Sequence, residues 1–440
     1  MTAMHTDLID VSGSCAHAKD AFPAWAKTPP AERGSVLLAA AEVLAEHAEE
    51  LAELNQRETG KLRADSVGGV EAGIGTLRQY AELGPLHQGG RLQGAIEAID
   101  YSLPEPRGLV AVITPWNDPV AIACGLIGAA LVTGNVVVHK PSERCPQLGE
   151  RLGELLEPAF PTGVFTTLSG PGETGADLVA NPEVDMIAHV GSTATGRRIA
   201  RAAALTGAHV ILENGGNDAL IVDAGVDPVW AAQQAALGCF ANGGQICTSV
   251  ERIFVHEQVA EAFTEALLAE AEQWMQTGRL APLVDERMRT EVHEQVTESA
   301  RLGAQILLGG TIPGGQGTGY PATVVTGCTP SMPLFTEETF GPVAAIARSG
   351  SFEEALQAAA AGDHGLAATV LTESIAHANQ AAARLPVGTV KINAVFGGAP
   401  GGSAEPRGLS GTGFGYGPRL LDEMTQLKVV HLSEPGGEES

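Results

Sequence analysis

At 440 residues the chain is too long for one compact core and points to two domains. Its 52 acidic against 26 basic side chains leave a formal charge of −26, which repels phosphate backbones and anionic lipid and argues against nucleic-acid and membrane-surface partners. A hydrophobic share of 44% with 55 glycines suits an α/β enzyme.

Residues 1 to about 15 carry no periodic pattern and are expected to be loosely ordered. They also lack a basic region followed by an apolar run, so no signal peptide is expected. From Ala16 to Leu83 apolar residues recur at helical spacing, as in Val36-Leu-Leu-Ala-Ala-Ala-Glu-Val-Leu-Ala45. Between Gly89 and Pro106 the pattern alternates and predicts an extended arm, of the kind that completes a neighbour's sheet, so a homodimer or homotetramer is expected.

From Leu109 to Glu213 near-continuous apolar strands (109–113, 136–139, 164–167, 186–189 and 209–212) alternate with helices near 125, 152, 178 and 200. This predicts a doubly wound parallel sheet with its ligand at the carboxyl ends of the strands. The uncharged stretch Pro119–Val138 is long enough to span a bilayer, but Thr133-Gly-Asn135 divides it into a buried helix and a buried strand. A second α/β alternation follows Cys247, from Arg252 to Ala394, and Pro435–Ser440 reads as a disordered tail.

Cys15, Cys124, Cys145, Cys239, Cys247 and Cys328 have no paired spacing, which suits reduced thiols in a cytoplasmic protein. No CxxC, HExxH or His/Cys cluster is present, so no metal is expected. Cys247 stands out because Phe240-Ala-Asn-Gly-Gly-Gln-Ile-Cys-Thr-Ser249 holds it on a glycine-rich turn between a helix opening at Asp227-Pro228 and the strand Arg252–His256. By itself it reads either as a small buried hydrophobe or as a reactive thiol.

Other strand ends are equally two-sided. Gly191-Ser-Thr-Ala-Thr-Gly196 opens a helix, either as a plain Ser192 cap or as a cradle for pyrophosphate, and Gly170-Pro-Gly-Glu-Thr-Gly175 adds a second glycine turn facing the same way. Lys140-Pro-Ser-Glu143 is either a solvated turn or a pair of ribose contacts. In Thr114-Pro-Trp-Asn-Asp-Pro119, Asn117 can donate to an oxyanion while Asp118-Pro119 caps the next helix. Glu213, before Asn214-Gly-Gly216, is either a surface carboxylate or a general base for water.

Taken together, Trp116-Asn117, Lys140-Pro-Ser-Glu143, Gly191-Ser-Thr-x-x-Gly196, Glu213-x-Gly-Gly216, Gly244-Gln-x-Cys247 and Glu337-Glu-Thr-Phe-Gly-Pro342 occur in the order and approximate spacing of the NAD(P)-dependent aldehyde dehydrogenase superfamily. The chain resembles that family from about Ala16 to Leu432. The resemblance implies an aldehyde-dehydrogenase-like α/β fold: a dinucleotide-binding domain (1–85 and 105–215), a catalytic domain (216–405), and an oligomerisation arm with a C-terminal segment (86–104 and 406–434). It implies oxidation of an aldehyde to a carboxylic acid through a covalent cysteine intermediate, with Cys247 as nucleophile, Glu213 as base, and Asn117 with the Cys247 amide as oxyanion hole. Thr114, Pro115, Trp116, Lys140, Ser142, Glu143, Gly172, Gly175, Gly191, Ser192, Glu338 and Phe340 are implied to hold NAD, or NADP, with Glu143 disfavouring a 2′-phosphate. Two other readings are acyl transfer to coenzyme A, which a hydrolytic Glu213 argues against, and an inactive dinucleotide-binding protein of the same fold.

The chain departs from the family pattern at Asp118 and His189, which replace aromatic residues, and at Asn214, which replaces an apolar one. Between Gly397 and Gly415 only Ser410-Gly-Thr-Gly413 is kept. If Asp118 faces the substrate, a cationic aldehyde is favoured; if it only caps a helix, it is silent on substrate.

Overall fold

The structure is a computed structural model and describes residues 10–96, 98–315, 317–398 and 402–433. The expected disordered tail lies outside the described residues. Four helices open the chain: α1 (Val11–Lys27), α2 (Pro30–Glu46), α3 (Ala48–Thr59) and α4 (Arg63–Leu83). Order therefore starts earlier than the sequence suggests. Asp10 caps α1, its Oδ1 accepting from the Gly13 N–H at 2.8 Å, and Val11, Cys15 and Ala18 are buried in the first core.

After β1 (Arg91–Leu92) and β2 (Ile99–Pro106), the first α/β unit runs β3 (Leu109–Ile113), α5 (Pro119–Val132), β4 (Val136–Lys140), α6 (Pro146–Leu156), β5 (Phe165–Thr167), α7 (Gly172–Ala180), β6 (Met186–Val190), α8 (Thr193–Thr206), β7 (His209–Glu213). These five strands are parallel in the order β7-β6-β3-β4-β5. Successive connections leave β3 in opposite directions, which opens a crevice at the carboxyl ends of β3 and β6. The apolar run divides as expected. Within α5, Leu126, Ile127 and Leu131 are fully buried, each worth about 2–3 kcal/mol of transfer free energy. The turn to β4 is made by Gly134 at φ 95° and by Asn135, whose Oδ1 accepts from the Gly108 N–H at 2.9 Å. No described helix is long and apolar enough to cross a membrane.

The second unit begins earlier than the sequence reading placed it. Asp218–Val222, within the expected catalytic domain but assigned no element from sequence, forms the wholly buried strand β8. The unit continues with α9 (Pro228–Phe240), β9 (Val250–His256), α10 (Glu257–Gln276), α11 (Glu286–Arg301), β10 (Gln305–Leu308), β11 (Thr323–Thr326), α12 (Pro333–Thr336), β12 (Val343–Ser349), α13 (Phe352–Ala360), β13 (His364–Gly365), β14 (Ala367–Leu371), α14 (Ile375–Arg384) and β15 (Thr389–Ile392). Its sheet has the order β10-β11-β12-β9-β8-β14-β15, with only β10 antiparallel.

Three short strands close the chain: β16 (Arg407–Gly408), β17 (Gly411–Thr412) and β18 (Thr425–Leu432). β17 returns to the first sheet and pairs antiparallel with β7, placing Gly411 opposite Glu213. The first sheet is therefore not purely parallel, because no crossover helix delivers this strand. The alternating arm is β2, and its partners are this chain's own β1 and β18, the latter antiparallel from Thr425↔Pro106 to Leu432↔Ile99.

Candidate active site

Cys247 sits between the 3₁₀ turn Ala241–Gly244 and β9, half-buried, whereas the other five cysteines are fully buried. Asn242, Gly243 and Gly244 form the turn at φ 50°, 64° and 74°. At Gly244 a Cβ would come 2.1 Å from the Gly341 carbonyl, and at Gly216 one would come 2.5 Å from the Cys247 carbonyl. The thiol-bearing loop is thus pressed between the Glu213-x-Gly-Gly216 and Glu337–Pro342 segments, and only glycine permits the approach.

Gln245, which the motif contains but for which the sequence suggested no role, staples this loop. Its Nε2 donates to the Asn242 carbonyl at 2.8 Å and to the Pro282 carbonyl at 3.1 Å, and its Oε1 accepts from the Val284 N–H at 2.9 Å. Its own carbonyl accepts from Asn117 Nδ2 at 3.1 Å. That bond brings Asn117 from the end of β3 to the cysteine loop and uses one N–H of its amide, leaving the other for a ligand.

Glu213 ends β7, where its Oε1 accepts from the Gly415 N–H at 3.0 Å. Burial pushes its carboxyl up to about 8. Glu338 joins the same cluster, its Oε1 accepting from the Gly216 N–H at 3.1 Å, and burial raises it to about 7. The Cys247 thiol is driven up to about 12, first by burial and then by Glu213, Asp218 and Glu338. Among the described residues no group of three or more His, Cys, Asp or Glu side chains is arranged to hold a metal ion.

The other residues expected to contact the coenzyme lie in the turns after β3, β4, β5 and β6 and in the loop before β12. Trp116 meets Phe340 edge-to-face at 5.7 Å and carries the Arg144 guanidinium 5.5 Å from its ring. Phe340 has φ 52°, and Glu251 fixes the loop by accepting from the N–H groups of Thr339 at 3.0 Å and Phe340 at 2.8 Å. Glu251 is a positioning group the sequence reading missed; its only signal is a charged pair, Glu251-Arg252, inside a wholly buried strand. Thr114 is buried with its hydroxyl 2.9 Å from His139 Nε2, and Pro115 follows it into the Trp116 turn. Lys140 and Glu143 form an ion pair of 2.9 Å in the turn after β4, and Ser142 Oγ accepts from the Arg144 N–H at 3.3 Å. Gly172 opens α7 with free space around it, and Gly175 lies 3.8 Å, as a notional Cβ, from Lys140 Cδ. Gly191 precedes Ser192, whose Oγ caps α8 by accepting from the Thr195 N–H at 3.3 Å.

At the ends of β5 and β6, Ser169 Oγ and Thr193 Oγ1 are buried without hydrogen-bond partners among the described residues. Burial drives His189 down to about 4, so the ring is neutral at pH 7. Orphaned polar atoms beside the open N-terminus of a 14-residue helix fit a polyoxygenated anion such as the pyrophosphate of a dinucleotide.

Asp118 corrects an expectation. It makes no side-chain bond to α5 but pairs with Lys61 Nζ at 2.8 Å, and Lys61 also donates to the Asn117 carbonyl at 3.3 Å. An intervening cation matches the carboxylate, so it neither caps the helix nor presents a free negative charge. Asn214 turns its Nδ2 to the Leu409 carbonyl at 3.1 Å and ties β7 to the C-terminal segment.

A sequence profile described as "Aldehyde dehydrogenase family" matches residues 2–430. The chain is 35% identical to a benzaldehyde dehydrogenase [NAD(+)] of Pseudomonas putida, over 97% of this chain and 89% of the relative. It is likewise 35% identical to a betaine aldehyde dehydrogenase of Cereibacter sphaeroides, over 96% and 89%. The crystal structure of an NAD-dependent aldehyde dehydrogenase from Sinorhizobium meliloti superposes with a TM-score of 0.93 at 33% identity, covering 98% of this chain and 88% of that one.

Proposed function

The chain belongs to the aldehyde dehydrogenase family, and from that premise we propose that Cys247, Glu213 and Asn117 are its nucleophile, its water-activating base and its oxyanion donor. The enzyme oxidises an aldehyde with NAD. The observation that supports these roles best is convergence: residues from β3, β7 and the turn before β9, distant in sequence, meet through Asn117–Gln245, Gly216–Glu338 and the field of Glu213 on Cys247.

In this reading the Cys247 sulfur adds to the aldehyde carbon, and the charge that develops on oxygen is met by the free N–H of Asn117 and the Cys247 amide. The Lys140–Glu143 turn, the α8 N-terminus and the Trp116–Phe340 pair would hold NAD, which would supply the acceptor for the hydride that the Cys247 thiohemiacetal loses as it becomes a thioester. Glu213 takes a proton from water, and the hydroxide released attacks the thioester to free the acid. The sulfur leaves as the acid departs. Glu143 favours NAD over NADP, because a carboxylate that bonds the ribose hydroxyls disfavours a 2′-phosphate.

The same reading divides the chain into the coenzyme domain (1–85 and 105–215), catalytic domain (216–405) and arm with C-terminal segment (86–104 and 406–434). Ile99, Leu103, Leu427 and Val429 leave apolar side chains exposed on the arm sheet, which supports a homodimer or homotetramer; light scattering giving a monomer would remove it. Six unpaired thiols support a cytoplasmic location, which cell fractionation recovering the enzyme outside the cytoplasm would contradict.

The two relatives' names pair a neutral aromatic aldehyde with a cationic one. For this chain the Lys61–Asp118 pair favours an uncharged aldehyde, because no unmatched carboxylate is left at Asp118 to attract a cation. Assayed with NAD and with NADP, benzaldehyde and hexanal are expected to give at least about tenfold higher kcat/KM than betaine aldehyde, the effect of one uncompensated charge contact. A higher kcat/KM for betaine aldehyde would reverse the assignment, and Lys61→Met is expected to narrow the gap.

A further inference from the structure

Glu213, the base proposed for water, is held by a stretch of chain 202 positions further on. Gly411 and Thr412 of β17 run beside β7, opposite Glu213 and Leu212. Just before them, the Ser410 carbonyl accepts from the Asn214 N–H at 2.9 Å. The Ser410 hydroxyl donates to the Gly215 carbonyl at 2.8 Å and accepts from the Gly365 N–H of β13 at 3.0 Å. Ser410 is fully buried, so the residues that follow the base are tied firmly to the C-terminal segment.

Beyond β17 three successive amides each meet a carboxylate. The Gly413 N–H donates to Glu405 Oε1 at 3.3 Å, the Phe414 N–H to Glu423 Oε1 at 3.2 Å and the Gly415 N–H to Glu213 Oε1 at 3.0 Å. Glu423 is itself anchored, its Oε2 lying 2.8 Å from His209 Nε2 at the start of β7. Past Tyr416, the Gly417 carbonyl accepts from the Tyr80 hydroxyl at 3.1 Å. The backbone around Gly415 is thus fixed on both sides by bonds that do not involve Glu213. The Glu213 side chain, in contrast, has the Gly415 bond as its one hydrogen bond among the described residues, which leaves Oε2 for a water.

That contact also explains why position 415 is glycine. Gly411, Gly413 and Gly417 have φ of 126°, 80° and 72°, where a side chain strains the backbone even in open space. Gly415 is not in that region, so its backbone would accept an L-residue. What excludes a side chain is Glu213: a Cβ at 415 would come 2.2 Å from its Cγ, 2.5 Å from Oε1 and 2.7 Å from Cδ, and these are the three nearest atoms. The obstacle is a rotatable side chain rather than backbone. A residue added at 415 therefore turns Glu213 aside and leaves the fold in place.

We propose that Gly415 is a positioning residue for the base. Its N–H holds one oxygen of the Glu213 carboxylate, and its missing side chain keeps open the space in which Glu213 lies, so that the other oxygen can take the proton from water. Gly415 acts only through Glu213, and the assignment rests on Glu213 as the base.

The test is Gly415→Ala in the purified full chain, compared by stopped flow with wild type, Glu213→Gln and the double variant, using NAD and whichever aldehyde of the panel above wild type turns over fastest. Gly415→Ala is expected to melt near wild type and to release NADH in a burst at the wild-type rate. It should then turn over about 10²-fold more slowly, the cost of a displacement of about 1 Å at a reacting group. Intact mass should find the acylated chain. In the Glu213→Gln background the same substitution is expected to cost nothing further, because the carboxylate it acts through is already gone. Wild-type steady turnover in Gly415→Ala overturns the proposal, and so does a loss that adds in full to that of Glu213→Gln. A slowed burst would put the effect before the thioester, and a chain that no longer folds would show that Glu213 cannot yield; either overturns it as well. If Glu213→Gln hydrolyses the thioester at the wild-type rate, the base assignment fails too; if Glu213→Gln is slow while Gly415→Ala is not, only the role of Gly415 is lost.

Discussion

Cys247→Ala is expected to reduce NADH formation by at least about 10⁴-fold, because removing the nucleophile leaves no covalent route to the acid. Little else should change. The side chain is small, and the loop is set by the left-handed turn at Asn242–Gly244 and by the three Gln245 bonds, none of which involves sulfur. NAD affinity by calorimetry and the melting temperature are therefore expected to stay near wild type. Asn117→Ala provides the graded comparison. It loses one oxyanion donor and one tether to the loop, for a fall of about 10²–10³-fold in kcat. An alanine variant at Cys247 with more than about a hundredth of wild-type turnover would show that the reaction does not pass through this thiol.

Glu213→Gln is expected to separate the two halves of the reaction. Acylation needs the sulfur and hydride transfer but no activated water, so the variant should release one equivalent of NADH per site in a burst and then slow by about 10²–10⁴-fold. Intact-mass measurement should find the acylated chain. The wild-type pH profile follows from the environment of the same group. Burial sets the Glu213 carboxyl at about 8, only the ionised form accepts a proton, and the ionised fraction grows as pH rises. Hydrolysis-limited turnover should therefore increase through about pH 8 and level above it, while the glutamine variant should show no such rise. A variant with no burst would place Glu213 before the thioester rather than after it. A burst followed by fast release on adding coenzyme A would revive acyl transfer.

Local order was read from sequence wherever a local signal produces it. The helices near 125, 152, 178 and 200 and the five strands between Leu109 and Glu213 follow from periodicity and from proline and glycine at element ends. The turn at Thr133–Asn135 could be read because Gly134 and Asn135 act within a few residues of themselves. Where a short signal was outweighed by long-range packing, the reading failed. Asp218-Ala-Leu-Ile-Val222 is too short to announce itself between a glycine pair and a helix cap, and it becomes a central strand only because β9 and β14 flank it. Asp10 was passed over because a cap matters only once Val11 and Cys15 have a core to enter.

The sequence by itself determined the family and the order of the motifs, since each motif is a contiguous run whose chemistry depends on neighbours along the chain. Only the tertiary structure decided how those runs act on one another: that Lys61 cancels Asp118, that Asn117 is tied to the Gln245 carbonyl, and that Gly415 reaches Glu213. The reason is that burial and charge act through distances in space. Residues 57, 128 or 202 positions apart carry no mark of their pairing until the sheets bring them together.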